Sequence, residues 1–299
     1  KIPNISLSPG KFDRNLIKTW LVPSIYWVIL GFGSLLVVSL DALIISAILD
    51  VKFLALYMIA MKICDISITT LSTITTALRP SFASVFSDKD IVELSKLYTF
   101  GLKTSVFLGL WIFFVLVSVG PNFVIEWVGE DNYVGDQVFY LMALYMLVNI
   151  LIVPSDSLLM GTNHQKSYGI MLLIEGILNV SLSVWWIQIW GLAGVIGATV
   201  VARCCTNGWY CLFKAFRITD YSVSKIFVEI LRPMLPSLLL TTLTAYLLLS
   251  TTLVGWEKII IHTFGLTCVY VFSYFFFAVK KESRDKLFTI LFVKSDNRS

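Results

Sequence analysis

Six ionisable side chains fall inside long apolar runs of the sequence. They are Asp41, Lys62, Asp65, Asp156, Glu175 and Arg203. On insertion scales each costs about 2.5–3.5 kcal/mol at the centre of a membrane, so such residues normally face a helix bundle or a water-filled cavity and pair with one another. Their chemistry would be to bind an ionic or strongly polar substrate, or to carry a proton or Na⁺ on an unpaired carboxylate.

The spacing of these residues predicts two pairs. Lys62 and Asp65 are three residues apart, which places them on one face of a helix where they can pair locally. Glu175 and Arg203 lie on consecutive apolar runs joined by almost no loop, and they can pair across the two helices. The four charges share roughly one depth in the membrane.

Two interpretations of the six residues remain open. They are either ion pairs that staple helices together, or the lining of a hydrated cavity that holds the substrate. In the second interpretation Lys62, Arg203, Asp65 and Glu175 are the candidates for the substrate path. Four acids against two bases leave an excess of carboxylates, and a buried carboxylate without a partner tends to protonate. Asp41 and Asp156 are therefore the candidates for ion coupling.

The composition identifies the elements that must position these side chains. Of the 299 residues, 57% are hydrophobic and only 14% are charged, and the mean hydropathy is +0.83. Soluble domains have about 25% charged residues, so a soluble enzyme is excluded. Because about 20 apolar residues cross the hydrocarbon core of a bilayer, we predict an all-α polytopic membrane helix bundle of about eight spans. The expected spans are 21–49, 53–79, 104–125, 137–160, 167–190, 191–213, 233–256 and 258–279.

The distribution of basic residues predicts the orientation. The two ends of the chain and every second loop carry 19 of the 23 lysines and arginines. Cytoplasmic segments carry the excess of basic residues, and an even number of spans puts both termini on one side. We therefore expect both termini in the cytoplasm. The stretches outside the spans are too short for an independent soluble domain.

Motifs for other chemistry are missing from the sequence. It contains no GxxxxGK[ST], HExxH or GxSxG pattern, and neither His164 nor His262 has metal-ligand spacing. We expect no catalytic residues, no cofactor, no metal and no nucleic-acid partner.

Three stretches of the sequence carry a resemblance to a known family. They are "SLDALIISAILDVKFLALYMIAMKI" with Asp41, Tyr57, Ala60 and Lys62, "LRPSFASVFSDKDIVELSKLYTFGLK", and "LLMGTNHQKSYGIMLLIEGILNVSLSVWWIQIWGLAGVIGATVVAR". In order and spacing they resemble the C-terminal half of the polysaccharide or O-antigen flippases in the multidrug/oligosaccharidyl-lipid/polysaccharide exporter superfamily. The resemblance covers about two-thirds of the chain.

The resemblance implies an architecture. It makes 1–20 a cytoplasmic N-terminal segment or inter-lobe linker, and it makes 21–215 a six-helix lobe, the second of a two-lobe transporter. Residues 216–282 are then two additional transmembrane helices, and 283–299 form a cytoplasmic tail.

The resemblance also implies a function. The implied function is transport of an undecaprenyl-diphosphate-linked O-antigen or similar repeat unit across the bacterial cytoplasmic (inner) membrane. The protein would be a flippase and not an enzyme. Its transport would serve the biosynthesis of surface polysaccharide and lipopolysaccharide. The expected partners are the lipid-linked oligosaccharide, membrane lipids, the missing N-terminal lobe and a polysaccharide polymerase. Lys62 and Arg203 are then the candidates for contact with the anionic headgroup.

Two rival functions remain. A drug or cation antiporter of the same superfamily favours an acidic cavity, and Lys62 and Arg203 argue against it. A membrane-embedded polysaccharide ligase or glycosyltransferase would need catalytic carboxylates on an outer loop. The residues available there are Glu126, Glu130, Asp131 and Asp136.

Overall fold

The computed structural model describes residues 14–249 and 255–278, and within these ranges the ordered structure is helical without strands. The helices are α1 Arg14–Val38, α2 Leu40–Ile48, α3 Val51–Thr76, α4 Arg79–Ser87, α5 Ile91–Val128, α6 Asp136–Gly161, α7 Gln165–Trp190, α8 Leu192–Arg203, α9 Trp209–Thr219, α10 Val223–Ile226, α11 Arg232–Leu249 and α12 Gly255–Phe277. A 3₁₀ turn, Glu130–Asn132, precedes α6, and π turns at Cys204–Gly208 and Phe227–Leu231 join α8 to α9 and α10 to α11. The predicted all-α polytopic class is confirmed.

Six described helical stretches are long and apolar enough to cross a membrane. They are Ser24–Ile48, Ile91–Val128, Asp136–Gly161, Gln165–Trp190, Val223–Leu248 and Gly255–Phe277. These helices indicate a multi-pass membrane protein, while the expected count of eight is not confirmed. The other two expected spans coincide with α3 and with the run from α8 to α9, and both stretches carry charged side chains at mid-length.

Several boundaries differ from the sequence prediction. The expected loop near 80–103 is helical, because α4 occupies its first part and α5 already begins at Ile91. Asp90 caps α5 by accepting a hydrogen bond from the Glu93 amide at 2.9 Å, and Ser, Thr, Asp and Asn are the preferred residues at this position. Residues 1–13 and 279–299 lie outside the described residues, as do most of the expected terminal segments. The expected division into domains stays a prediction.

Helix α6 is the central element of the bundle. In its most apolar window 67% of the residues are buried, against 28–33% in the other five candidate spans. It packs against α3, α5, α8 and α9. The Ser105 hydroxyl of α5 donates to the Ile150 carbonyl of α6 at 2.6 Å, and the Tyr98 and Ser155 hydroxyls of the same two helices lie 2.8 Å apart. Helix α1 reaches the bundle by packing along α7.

The last two helices pack on the outside of α5. The Trp111 indole donates to Thr267 Oγ1 at 3.0 Å, and the Tyr270 hydroxyl donates to the Phe107 carbonyl at 2.8 Å. The Phe107 and Tyr270 rings stack at a centroid distance of 5.4 Å. Helices α11 and α12 are therefore joined to the bundle through α5.

Candidate functional site

Glu175 of α7 and Arg203 of α8 form a buried ion pair. Arg203 Nη1 lies 3.1 Å from Glu175 Oε1, and the two residues are 7% and 0% exposed. Arg203 Nη2 donates to Asn149 Oδ1 of α6 at 3.0 Å. The pair expected across the two consecutive spans is confirmed, and it joins three helices at one point.

The second oxygen of the Glu175 carboxylate is satisfied by the π turn after α8. Asn207 Nδ2 donates to Glu175 Oε2 at 2.7 Å, and Thr206 Oγ1 donates to the same oxygen at 3.1 Å. π turns are rare and occur frequently at functional sites. Sequence reasoning missed Asn149, Thr206 and Asn207, although each is a polar residue inside an apolar run.

Asp41 is enclosed by neutral hydrogen-bond donors. It is 4% exposed and accepts hydrogen bonds from the Tyr57 hydroxyl at 3.2 Å, Asn179 Nδ2 at 3.2 Å and the Thr199 hydroxyl at 3.1 Å. It also lies in the first turn of α2, where the helix dipole favours a negative charge. Within the described residues no lysine, arginine or histidine nitrogen lies within 4.0 Å of this carboxylate.

The Asp41 and Glu175 clusters are adjacent along the α7–α8 hairpin. Glu175 and Asn179 are four residues apart on α7, and Thr199 and Arg203 are four residues apart on α8. Side chains at this spacing are about 5–6 Å apart on one helix face. The Thr199 hydroxyl also donates to Asn179 Oδ1 at 3.2 Å, so the two helices present two successive polar layers to each other.

Asp156, the other coupling candidate, lies elsewhere. It is half-buried near the end of α6 and receives long hydrogen bonds, both 3.4 Å, from the Tyr168 and Ser157 hydroxyls. The structure does not bring it together with Asp41. Its expected role in coupling stays a prediction.

Lys62 and Asp65 lie on a polar stripe along α3. The stripe consists of Lys62, Asp65, Thr69, Ser72, Thr73 and Thr76, each of which is exposed or half-buried. The opposite face of α3 is buried and contains Tyr57, Ala60, Cys64, Ser67, Leu71 and Thr75. The helix is therefore amphipathic over its second half, and its polar face is turned away from the other described helices.

The structure thus separates the six residues into distinct groups. Glu175 and Arg203 are paired inside the bundle, and Asp41 is enclosed. Asp156 lies near the end of α6 and interacts electrostatically with Arg203 and Arg79. Lys62 and Asp65 face outward without an ion pair between them in the described chain. The expected local pairing of Lys62 with Asp65 is therefore not formed as an ion pair within 4.0 Å, although the two charges still interact electrostatically. No group of three or more His, Cys, Asp or Glu residues within the described ranges could hold a metal.

Comparison with known protein families finds a match to part of the chain. Residues 6–134, just under half of the chain, match the family model described as a polysaccharide biosynthesis protein. The match supports the polysaccharide flippase-type family. It likewise supports a role in polysaccharide biosynthesis. No curated protein and no solved structure matches the chain.

The stretch that matches the family model includes some of the candidate residues and not others. It covers the outward polar stripe of α3 and the enclosed Asp41, whereas Glu175 and Arg203 lie beyond residue 134. Chemically, the stripe offers an ammonium, a carboxylate and hydroxyls to a polar molecule. Asp41 offers one carboxylate surrounded by neutral groups.

Proposed function

We propose that the chain is the second lobe of a flippase that moves a lipid-linked oligosaccharide across the bacterial cytoplasmic membrane. The substrate is an undecaprenyl-diphosphate-linked O-antigen or a similar repeat unit. The observation that carries this proposal is the outward polar stripe of α3, which lies within the stretch that matches polysaccharide biosynthesis proteins.

The charged side chains of the stripe need contact with water. Lys62 and Asp65 would each cost about 2.5–3.5 kcal/mol if they faced lipid, and no ion pair within 4.0 Å joins them. A water-filled path between this lobe and an N-terminal lobe removes the cost for both residues. Lys62 then contacts the diphosphate, and the threonine and serine hydroxyls along α3 contact sugar hydroxyls.

Asp41 is the candidate for coupling transport to an ion. Its three donors are neutral, so its charge depends on a proton or a monovalent cation rather than on a fixed basic partner. The cluster also joins α2, α3, α7 and α8, so a change of charge at Asp41 alters the packing of four helices. Asp156 is the second candidate for coupling.

The proposal also includes the orientation of the chain and its partners. Both termini face the cytoplasm, the chain has no catalytic residues of its own, and its partners are the lipid-linked substrate, membrane lipids, an N-terminal lobe and a polysaccharide polymerase. In the described conformation Arg203 and Glu175 contact each other and Asn149 rather than an open surface. Their expected place on the substrate path stays a prediction.

The rival functions have less support. For a cation antiporter, the exposed Lys62 on the polar face of α3 would oppose the binding of a cationic drug. For a ligase, the outer acidic loop would have to supply free carboxylates, but Asp136 accepts a 2.6 Å hydrogen bond from the Tyr133 hydroxyl and begins α6.

The test is complementation in cells that lack their own flippase. The full-length parent protein is expressed as wild type, as Lys62→Ala and as Lys52→Ala. Lys52 is the matched control, because it is an exposed lysine near the start of the same helix and lies off the stripe. Surface polysaccharide and cytoplasmic-leaflet lipid-linked precursor are measured at equal protein level.

We expect the wild type and Lys52→Ala to restore surface polymer. We expect Lys62→Ala to accumulate precursor, with at least about a tenfold loss of transport, because a charge-assisted contact is worth about 1.5–3 kcal/mol. If the wild type leaves the precursor stranded with the matching sugar pathway present, the flippase proposal is wrong. If Lys52→Ala is as defective as Lys62→Ala, the polar stripe is not the substrate path.

A further inference from the structure

A groove opens between the first turns of α5 and the turn that joins α9 to α10. Its volume is about 560 Å³, and the lining includes Ser95, Thr99, Lys103, Tyr221, Lys225 and Glu229. A second cavity of about 420 Å³ continues it toward the end of α12 and shares Lys103 and Glu229 with it. None of the residues that line either cavity lies on α3.

The charge pattern of α5 indicates how deep this groove lies in the membrane. Between Lys103 and Glu126 the helix has no charged residue. These 22 residues span about 33 Å at 1.5 Å per residue, which matches the roughly 30 Å hydrocarbon core of a bilayer. Lys103 therefore lies at the boundary between the hydrocarbon and the lipid headgroups. Two exposed apolar side chains flank this level, Phe100 at 58% and Val228 at 53% exposure.

Two opposite charges in the groove have no ion-pair partner within the described part of the chain. Lys103 is half-buried and has no ion pair or hydrogen bond to the described part of the chain. Glu229 receives only a 3.4 Å hydrogen bond from the Tyr221 hydroxyl. Both residues line both cavities, yet the described structure has no ion pair between them. A ligand that carries both charges would bridge the gap.

The other charged groups of the groove are already engaged or lie at its edge. Lys96 pairs with Glu93 at 3.1 Å. Lys225 Nζ lies 5.5 Å from the centroid of the Tyr221 ring and 3.5 Å from the Asp220 carbonyl oxygen. The Asp220 carboxylate is exposed and adds a second negative charge. With lysines and carboxylates both present, the groove is not a simple anion site.

We propose that this groove binds the zwitterionic headgroup of a membrane phospholipid that carries a phosphate and a primary ammonium group, as in phosphatidylethanolamine. The phosphate lies at Lys103, and the ammonium donates to Glu229. The acyl chains run along the apolar surface beside Phe100 and Val228. The site is separate from the proposed transport path and does not depend on it.

Lipid binding to the purified full-length protein tests this proposal. Native mass spectrometry compares phosphatidylethanolamine, phosphatidylcholine and phosphatidylglycerol with identical acyl chains. Phosphatidylcholine has the same charges but no N–H donor for Glu229, and phosphatidylglycerol has no cationic group. Since a hydrogen bond to a charged group is worth about 1.5–3 kcal/mol, we expect phosphatidylethanolamine to bind about tenfold more tightly than either.

Variants assign the preference to the groove. Glu229→Gln is expected to remove the preference for phosphatidylethanolamine over phosphatidylcholine, and Lys103→Gln to weaken the binding of both lipids about tenfold. The controls are Lys52→Gln and Glu257→Gln, which remove exposed charges at the start of α3 and of α12, away from the cavities. They are expected to bind lipid like the wild type.

Several results would overturn the proposal. One is equal affinity for the three lipids in the wild type, a comparison that needs no variant to fold. Another is a preference for phosphatidylethanolamine over phosphatidylcholine that is unchanged in Glu229→Gln. Glu229→Asp is the conservative variant, because it keeps the carboxylate. A third is competition by soluble O-phosphoethanolamine at the same concentration as the lipid, which would indicate a water-soluble ligand instead.

Discussion

At the scale of single residues, Glu175 and Arg203 form a buried ion pair, whereas the pair of Lys96 with Glu93 is exposed. Both are buried, and their charges compensate each other while Asn149, Thr206 and Asn207 satisfy further hydrogen bonds. Removing one partner of such a pair leaves a buried charge without compensation, which costs more than removing both. The pair therefore stabilises the α7–α8 hairpin only as long as it is complete.

A mutant cycle tests this dependence. We expect Arg203→Met to destabilise the protein by about 3–5 kcal/mol. Adding Glu175→Gln should restore most of the loss, because the amide carbonyl is neutral and still accepts hydrogen bonds from Asn207 and Thr206. Thermal unfolding in detergent measures both variants. A double variant that is less stable than Arg203→Met would contradict the account.

At the scale of elements, the turn between α7 and α8 determines which side chains face each other. Gly191 ends α7 with φ 55°, a left-handed conformation that glycine adopts without strain. Gly194 then passes so close to α7 that a Cβ there would overlap the Trp186 carbonyl group. This close approach aligns Thr199 with Asn179 and Arg203 with Glu175.

Substitution at two glycines of α8 separates close packing from helix propensity. Gly194→Ala would place a methyl group against the backbone of Trp186, which cannot move aside as a side chain can, so we expect a loss of about 1–3 kcal/mol. Gly197→Ala is the control, because its nearest neighbours lie at an ordinary 3.7 Å. It is expected to be neutral or slightly stabilising. Equal melting temperatures for the two variants would refute the argument.

At the scale of the whole molecule, the described bundle has two kinds of outer surface. Most of it is apolar, as on α12, where Phe264 is 71% exposed, and suits contact with lipid. The stripe of α3 is polar and charged. Since charged side chains in membrane proteins normally face protein or water, we expect the proposed N-terminal lobe and the substrate path on the side of the stripe.

Cysteine labelling distinguishes these surfaces. Thr69→Cys on the stripe and Phe264→Cys on α12 are introduced into the full-length protein after its own cysteines are replaced. Because the reactive species is the thiolate, which needs water, we expect a polar maleimide to label position 69 at least about tenfold faster than position 264. Similar rates, with both positions exposed in the bundle, would show that the stripe does not line a wet path.

The sequence by itself determined the membrane class, the boundary between the spans 167–190 and 191–213, and the pairing of Glu175 with Arg203. These follow from local properties, namely the length of apolar runs and the high cost of a lone buried charge. Only the tertiary structure decided that Asp41 meets Tyr57, Asn179 and Thr199, that Lys62 and Asp65 face outward without pairing, and that Lys103 and Glu229 share a groove. Those contacts depend on how helices distant in sequence rotate and pack, and helical periodicity alone carries no information about which face meets which neighbour.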